Sequence, residues 1–175
     1  MPLPNTCKKR ECCSALADNV VSQVTFEIGQ IDQLLAVYAD LVDRVQQRPP
    51  DLVEVTAMAS VLHSFYNSLE NIFLSIAKGL DEQVPTGDQW HRDLLIHMTR
   101  EMGDRGSVIS TALAKKLADY LGFRHFYRHS YSFFLEWDKL PGLVTSLREV
   151  WEQVKAELYE LLESLGPAEN DRHSS

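Results

Sequence analysis

The side chains best suited to chemistry are concentrated in residues 121–131. This stretch holds Arg124, His125, Arg128 and His129, with aromatic residues between them. Histidine gains or loses a proton near neutral pH, whereas the arginine guanidinium stays charged and matches the oxygens of a phosphate or carboxylate. This combination predicts a site that binds an anion and transfers a proton next to it.

Helix geometry limits how these side chains can meet. At about 100° per residue, Arg124 and Tyr131 lie on nearly the same face of an ideal helix, whereas His129 lies roughly 140° from Arg124. The three side chains converge if the helix breaks or tightens near residues 128–131. Alternatively, the motif meets its own copy across a two-fold axis, where self-complementary contacts are expected.

These residues carry a family resemblance. Gly122-Phe123-Arg124 followed by His129-Ser130-Tyr131 resembles the Arg-x4-His-x-Tyr signature of the HEPN superfamily, and more closely the HepT-like ribonuclease toxins. Tyr66 and Glu70 resemble the Tyr/Glu helix that precedes the motif in such proteins. Close relatives often have Asn after the Arg, where this chain has His125, so the resemblance leaves the role of His125 open.

The resemblance implies a metal-independent endoribonuclease toxin that acts as a homodimer. Cleavage of RNA by its own 2′-hydroxyl needs a base and a positive charge on the phosphorane, which suit His129 and Arg124. The scheme uses no metal and no cofactor. A partner nucleotidyltransferase antitoxin is expected to attach AMP to Tyr131, which would place bulk and negative charge in the site. The residues predicted to support the site are His125, Arg128, Glu70 and Tyr66.

The charge distribution agrees with one anionic ligand site. The chain has 17 basic and 25 acidic side chains, a net charge of −8, which argues against a broad nucleic-acid platform. Residues 91–131 nevertheless hold seven basic and four acidic side chains, and four of the six histidines. A locally basic strip on an acidic body favours a confined site for an anion.

The hydrophobic pattern predicts an all-α protein, an antiparallel bundle of four or five helices. Apolar residues recur every three or four positions from Val20 to Leu165, with breaks at Pro49-Pro50, 81–87, 103–107 and Gly166-Pro167. A first helix is expected to run unbroken to Arg48. The predicted helix caps are Asp51, Asp88 and Ser107. Residues 15–166 are expected to form the helical domain, with a flexible segment at 1–14 and a disordered tail at 167–175.

The remaining features indicate a cytoplasmic protein. The three cysteines, Cys7, Cys12 and Cys13, are too few and too crowded for a disulfide framework or a metal site, so reduced thiols are expected. The N-terminal residues lack the apolar stretch of a signal peptide, and no apolar run reaches membrane-spanning length.

Other interpretations of the same residues stay open. The cluster of Arg124, His129 and Tyr131 can also serve as a solvated helix end in a plain helical scaffold. A non-catalytic HEPN accessory subunit, holding nucleotide or substrate for a nucleotidyltransferase, would use the same side chains. Glu70 is equally consistent with a partner for Arg or His and with a solvated carboxylate. A packed Trp90 with a surface His91 is favoured over a phosphate site at that helix start.

Overall fold

Six α-helices make up the part of the chain that the computed structural model describes, which is residues 6–103, 105–129 and 137–165, with side chains from residue 15 onward. A short 3₁₀ helix, Trp137–Lys139, precedes the last of them. The helices are α1 (Thr6–Val37), α2 (Ala39–Gln47), α3 (Leu52–Gly79), α4 (Trp90–His97), α5 (Thr111–His129) and α6 (Pro141–Leu165). The predicted domain limits at residues 15 and 166 stay predictions, and the tail 167–175 lies outside the described residues.

The prediction of an all-α bundle is confirmed, since the described residues form helices and no strand. The first predicted helix is in fact two, because Tyr38 leaves the helical conformation at φ −99° and ψ 11° and separates α1 from α2. The ladder of hydrogen bonds persists across this point, from Tyr38 N to Leu34 O and from Val42 N to Tyr38 O. None of the described helices is long and apolar enough to cross a membrane.

The helix caps were predicted with mixed success. Asp51 caps α3 in a capping box, accepting from Glu54 N while the Glu54 carboxylate accepts from Asp51 N, so that prediction is confirmed. The cap assigned to Ser107 is wrong, because α5 begins at Thr111. The hydroxyl of Ser110 accepts from Leu113 N instead. Asp88 is also wrong as a cap: Gln89 precedes α4, and its side chain makes no capping bond.

Helix α3 is the centre of the bundle and contacts each of the other five helices. Buried side chains occupy about half of its circumference, from Val55 at one end to Ala77 at the other. The opposite face carries exposed polar residues such as Lys78. A polar side chain on the buried face, such as Glu70, needs a partner inside the protein.

Cross-helix hydrogen bonds show that the neighbours of the bundle are antiparallel. Between α1 and α3, Asn71 donates to Glu27 and Ser75 donates to Gln23. Residue numbers therefore increase in opposite directions along the two helices. Between α5 and α6, Tyr120 contacts Ser146 whereas Lys116 lies opposite Glu149. These registers bring the middle of α3 next to the second half of α5.

A buried carboxylate ties the loops around α4 together. Asp81, after α3, accepts from Arg105 Nε at 2.8 Å and Nη2 at 2.6 Å and from His97 Nε2 at 2.7 Å. All three side chains are buried. His97 is therefore a structural residue, and the network holds α4 in position beside α3 and α5.

Candidate functional site

Arg124 is the buried centre of the candidate site. It lies on the side of α5 that faces α3, with 7% of its side chain exposed. Its Nε donates to Asn67 Oδ1 at 2.7 Å, and its Nη2 donates to Glu70 Oε1 at 2.8 Å. A guanidinium is stable at this depth because a carboxylate balances its charge and both groups are hydrogen-bonded.

A polar stripe on α3 receives this guanidinium. His63, Asn67 and Glu70 recur at spacings of four and three residues, which places them on one face of the helix. The Asn67 amide links two neighbours, because its Oδ1 accepts from Arg124 while its Nδ2 donates to His63 Nε2 at 2.9 Å. Glu70 is a buried partner of Arg124, not a solvated carboxylate.

His91 extends the network to a third helix. Its Nδ1 donates to Glu70 Oε2 at 2.5 Å, with 13% of the His91 side chain exposed. The indole of Trp90 stacks on the imidazole with a centroid distance of 3.6 Å. The interpretation of His91 as a surface residue is wrong, because its ring lies against Glu70 and the Trp90 indole and is mostly buried. One carboxylate thus holds Arg124 and His91 on its two oxygens.

Exposed basic side chains continue along α5 beyond Arg124: His125, Arg128 and His129. The imidazoles of His125 and His129 lie one helical turn apart, with centroids separated by 5.7 Å, and the His125 ring lies 6.4 Å from that of His91. Helix α5 stays regular through His129, so Arg124 and His129 diverge as the angle of roughly 140° requires. Within one chain, the structure does not bring these two side chains together.

Two buried nitrogen atoms, His63 Nδ1 and Arg124 Nη1, lack a hydrogen-bond partner among the described residues. Burial lowers the pKa of His63, and the positive charges of Arg124 and Arg128 lower it further, against a smaller opposite effect of Glu70. The neutral ring accepts from Asn67 at Nε2, and its proton therefore lies on Nδ1. Both nitrogens are then donors for which the described part of the chain supplies no acceptor.

Tyr66, a predicted site residue, stands apart from the network. Tyr66 is almost fully buried in the core, and burial together with the nearby Glu70 charge raises the pKa of its phenol well above the usual range. Its position makes it a packing residue beside Glu70. Tyr131 lies outside the described residues, as does Ser130.

A cleft of about 300 Å³ opens between α4 and α5. Its lining comprises Gln89, His91, Arg92, Leu121, Gly122 and His125. This volume is at the lower limit for sites that take small molecules. A larger groove of about 720 Å³ lies between α5 and α6, but none of Arg124, His125, His129 and Glu70 lines it. The cleft is therefore the cavity that belongs to the site.

Sequence reasoning missed Asn67, His63 and His91 as members of this network. A signal for the first two was their spacing, because His63 and Asn67 fall on the same face of α3 as the predicted site residue Glu70. No local pattern marks His91, which lies 21 residues from Glu70 in the sequence. Among the described residues, no three side chains of ligating type are grouped to hold a metal ion.

Comparison with known protein families places the chain. A family model described as HepT-like protein matches residues 57–165, a range that contains most of α3, all of α4 to α6 and every residue of the network. No curated protein and no solved structure matches the chain.

Proposed function

We propose, from the premise that this chain belongs to the family of HepT-like proteins, that it is an endoribonuclease of toxin type that needs no metal ion. The observation that carries the proposal is the network in which Glu70 and Asn67 hold Arg124, on the helix that also carries the exposed His125 and His129. Such a network holds a charged side chain in one geometry, as a functional site requires.

The proposed roles follow from exposure and charge. His129 is exposed and makes no hydrogen bond to the other described residues, so its imidazole is available to exchange a proton with substrate. Arg124 supplies a permanent positive charge beneath the surface for the phosphorane that develops. Its Nη1 has no partner among the described residues, and a phosphate oxygen would provide an acceptor for it. Arg128 is exposed and positioned to meet the RNA backbone first.

A homodimer is part of the proposal, since Arg124 and His129 diverge on one helix. A second copy would supply the complementary side chain across a two-fold axis. We further propose that a partner nucleotidyltransferase attaches AMP to Tyr131. An added phosphate diester near Arg124 and His129 would occupy the anion site and cancel part of its field.

The test is cleavage of purified total RNA in excess EDTA by the wild-type protein and by His129→Ala. EDTA suppresses metal-dependent contaminants, and the variant controls for the others. We expect cleavage by wild type and a loss of about 10²–10⁴-fold in the variant. Equal cleavage by both proteins, or none by folded wild-type protein free of any mass adduct, would contradict the proposal.

A second candidate function is a non-catalytic accessory subunit that binds nucleotide or substrate for a nucleotidyltransferase. The burial of Arg124 favours it, because a guanidinium already held by Glu70 and Asn67 is less available to a reacting phosphate. This alternative predicts that nucleotide binding depends on Arg128 while RNA stays intact.

A further inference from the structure

His91 has the hydrogen-bond arrangement that is typical of a histidine acting as an acid or base. The Glu70 carboxylate, 8% exposed, accepts from His91 Nδ1 and so keeps the proton on that nitrogen. In the neutral ring, the lone pair is then on Nε2. A carboxylate in this position also stabilises the imidazolium that forms when Nε2 takes a proton. Stacking on Trp90 restricts the ring to one orientation.

The surroundings of His91 are open to a ligand on one side. The ring lines the cleft of about 300 Å³ together with Leu121 and His125. Among the described residues, His91 Nε2 has no hydrogen-bond partner. The imidazole of His125 neighbours those of His91 and His129, with centroid distances of 6.4 and 5.7 Å. The charged and titratable groups around His91 are Glu70 on α3, Arg124 and His125 on α5, and Asp88 and Arg92 on its own segment.

From this geometry we propose that His91 is a second proton-transfer residue of the site, and that the cleft takes the ribose bearing the attacking 2′-hydroxyl. The inference rests on the proposed ribonuclease function. Cleavage of RNA breaks one O–H bond and forms another, so one histidine cannot be in both protonation states at once. A second histidine allows both transfers in one step.

In the proposed step, His91 and His129 each transfer one proton. Nε2 of neutral His91 takes the proton of the 2′-hydroxyl while O2′ forms a bond to phosphorus. The bond from phosphorus to O5′ breaks, and O5′ leaves with the proton of the His129 imidazolium. The products are a 2′,3′-cyclic phosphate and a 5′-hydroxyl end. Glu70 balances the positive charge gained by His91.

The decisive variant is His91→Gln in the full chain, because the Gln amide can still donate to Glu70 but cannot take a proton. It is assayed in EDTA on RNA and on a nucleoside 3′-(p-nitrophenyl phosphate), whose leaving group needs no acid. We expect His91→Gln to lose about 10²–10⁴-fold on both substrates. We expect His129→Ala to lose activity on RNA and regain most of it on the activated ester.

The pH profile provides a readout that the folded fraction does not affect. A general base must be deprotonated, so the rising acid limb of the wild-type profile should disappear in His91→Gln. The control is Lys116→Ala. Lys116 lies outside the network and is paired with Glu149, so this variant should retain the limb and a rate within about threefold. A wild-type rate and profile in His91→Gln would overturn the role of His91 alone. Absence of cleavage by wild type on both substrates would overturn the proposed function with it.

Discussion

At the scale of single residues, the pair of Arg124 and Glu70 has a structural role besides any chemical one. Arg124→Ala would leave the Glu70 carboxylate buried without its main countercharge. We expect the free energy of unfolding, measured in urea, to fall by about 3 kcal/mol. His129→Ala, at an exposed helix end, should change it by less than about 0.5 kcal/mol. If Arg124→Ala unfolds at the wild-type urea concentration, the ion pair does not stabilise the fold.

His63 should make stability depend on pH. Its folded-state pKa is lowered below the ordinary value of 6.5 by burial and by the charges of Arg124 and Arg128. Above pH 6.5, both folded and unfolded states hold a neutral ring, and stability is at its full value. As the pH falls below 6.5, the unfolded state takes up the proton first, so stability decreases until the folded-state pKa is passed.

The measurement is chemical unfolding at a series of pH values for wild type and for His63→Gln. The Gln side chain does not titrate, so the difference in unfolding free energy between the two proteins should shrink or reverse below pH 6.5. Parallel curves for the two proteins would show that His63 is not the group responsible.

At the scale of helices, replacing two glycines by alanine should change the stability of the protein in opposite directions. Gly122 is exposed on α5, and a Cβ built there meets no atom within 4 Å. Gly122→Ala should therefore stabilise the protein by about 0.5–1 kcal/mol, because alanine loses less backbone entropy in a helix. Gly79 ends α3 where α1 crosses it closely, and a Cβ there would fall on Val20 Cγ2. Gly79→Ala should destabilise by about 1–3 kcal/mol.

Thermal unfolding of both variants measures this pair. The valine side chain is stiff at χ1, so α1 must shift to make room at Gly79. A Gly79→Ala variant as stable as wild type would mean that α1 and α3 do not pack at the observed distance. A destabilised Gly122→Ala would indicate that the exposed face of α5 is covered in solution.

At the scale of the whole molecule, the net charge of −8 limits where RNA can bind. With about three phosphate contacts at the basic strip, log affinity for single-stranded RNA should fall with log salt with a slope of about −2. Arg128→Ala should reduce the magnitude of this slope by about 0.7. The test is RNA binding by cleavage-deficient His129→Ala protein at several salt concentrations. Lys116→Ala is the control, since Lys116 is paired with Glu149 on another face, and an equal effect of both substitutions would contradict the location.

Much of the helical architecture follows from the sequence because helix formation is read from local periodicity. The apolar repeats identify α3, α5 and α6, and Asp51 with Glu54 identifies the start of α3. The break at Tyr38 was not predicted, because no proline or glycine marks it in the sequence. The start of α5 was misplaced because two serines fit a cap equally well, and the contact of Ser110 with Glu157, 47 residues away, distinguishes them.

The sequence by itself determined an all-α chain and the candidates Arg124 and His129, because their spacing and types lie within one short motif. Only the tertiary structure decided which of them is buried and what holds it. Asn67 and Glu70 lie 57 and 54 residues from Arg124, and His91 joins them from a third helix. Packing around α3 sets these contacts, since a polar group on a central helix must find its partner across the core.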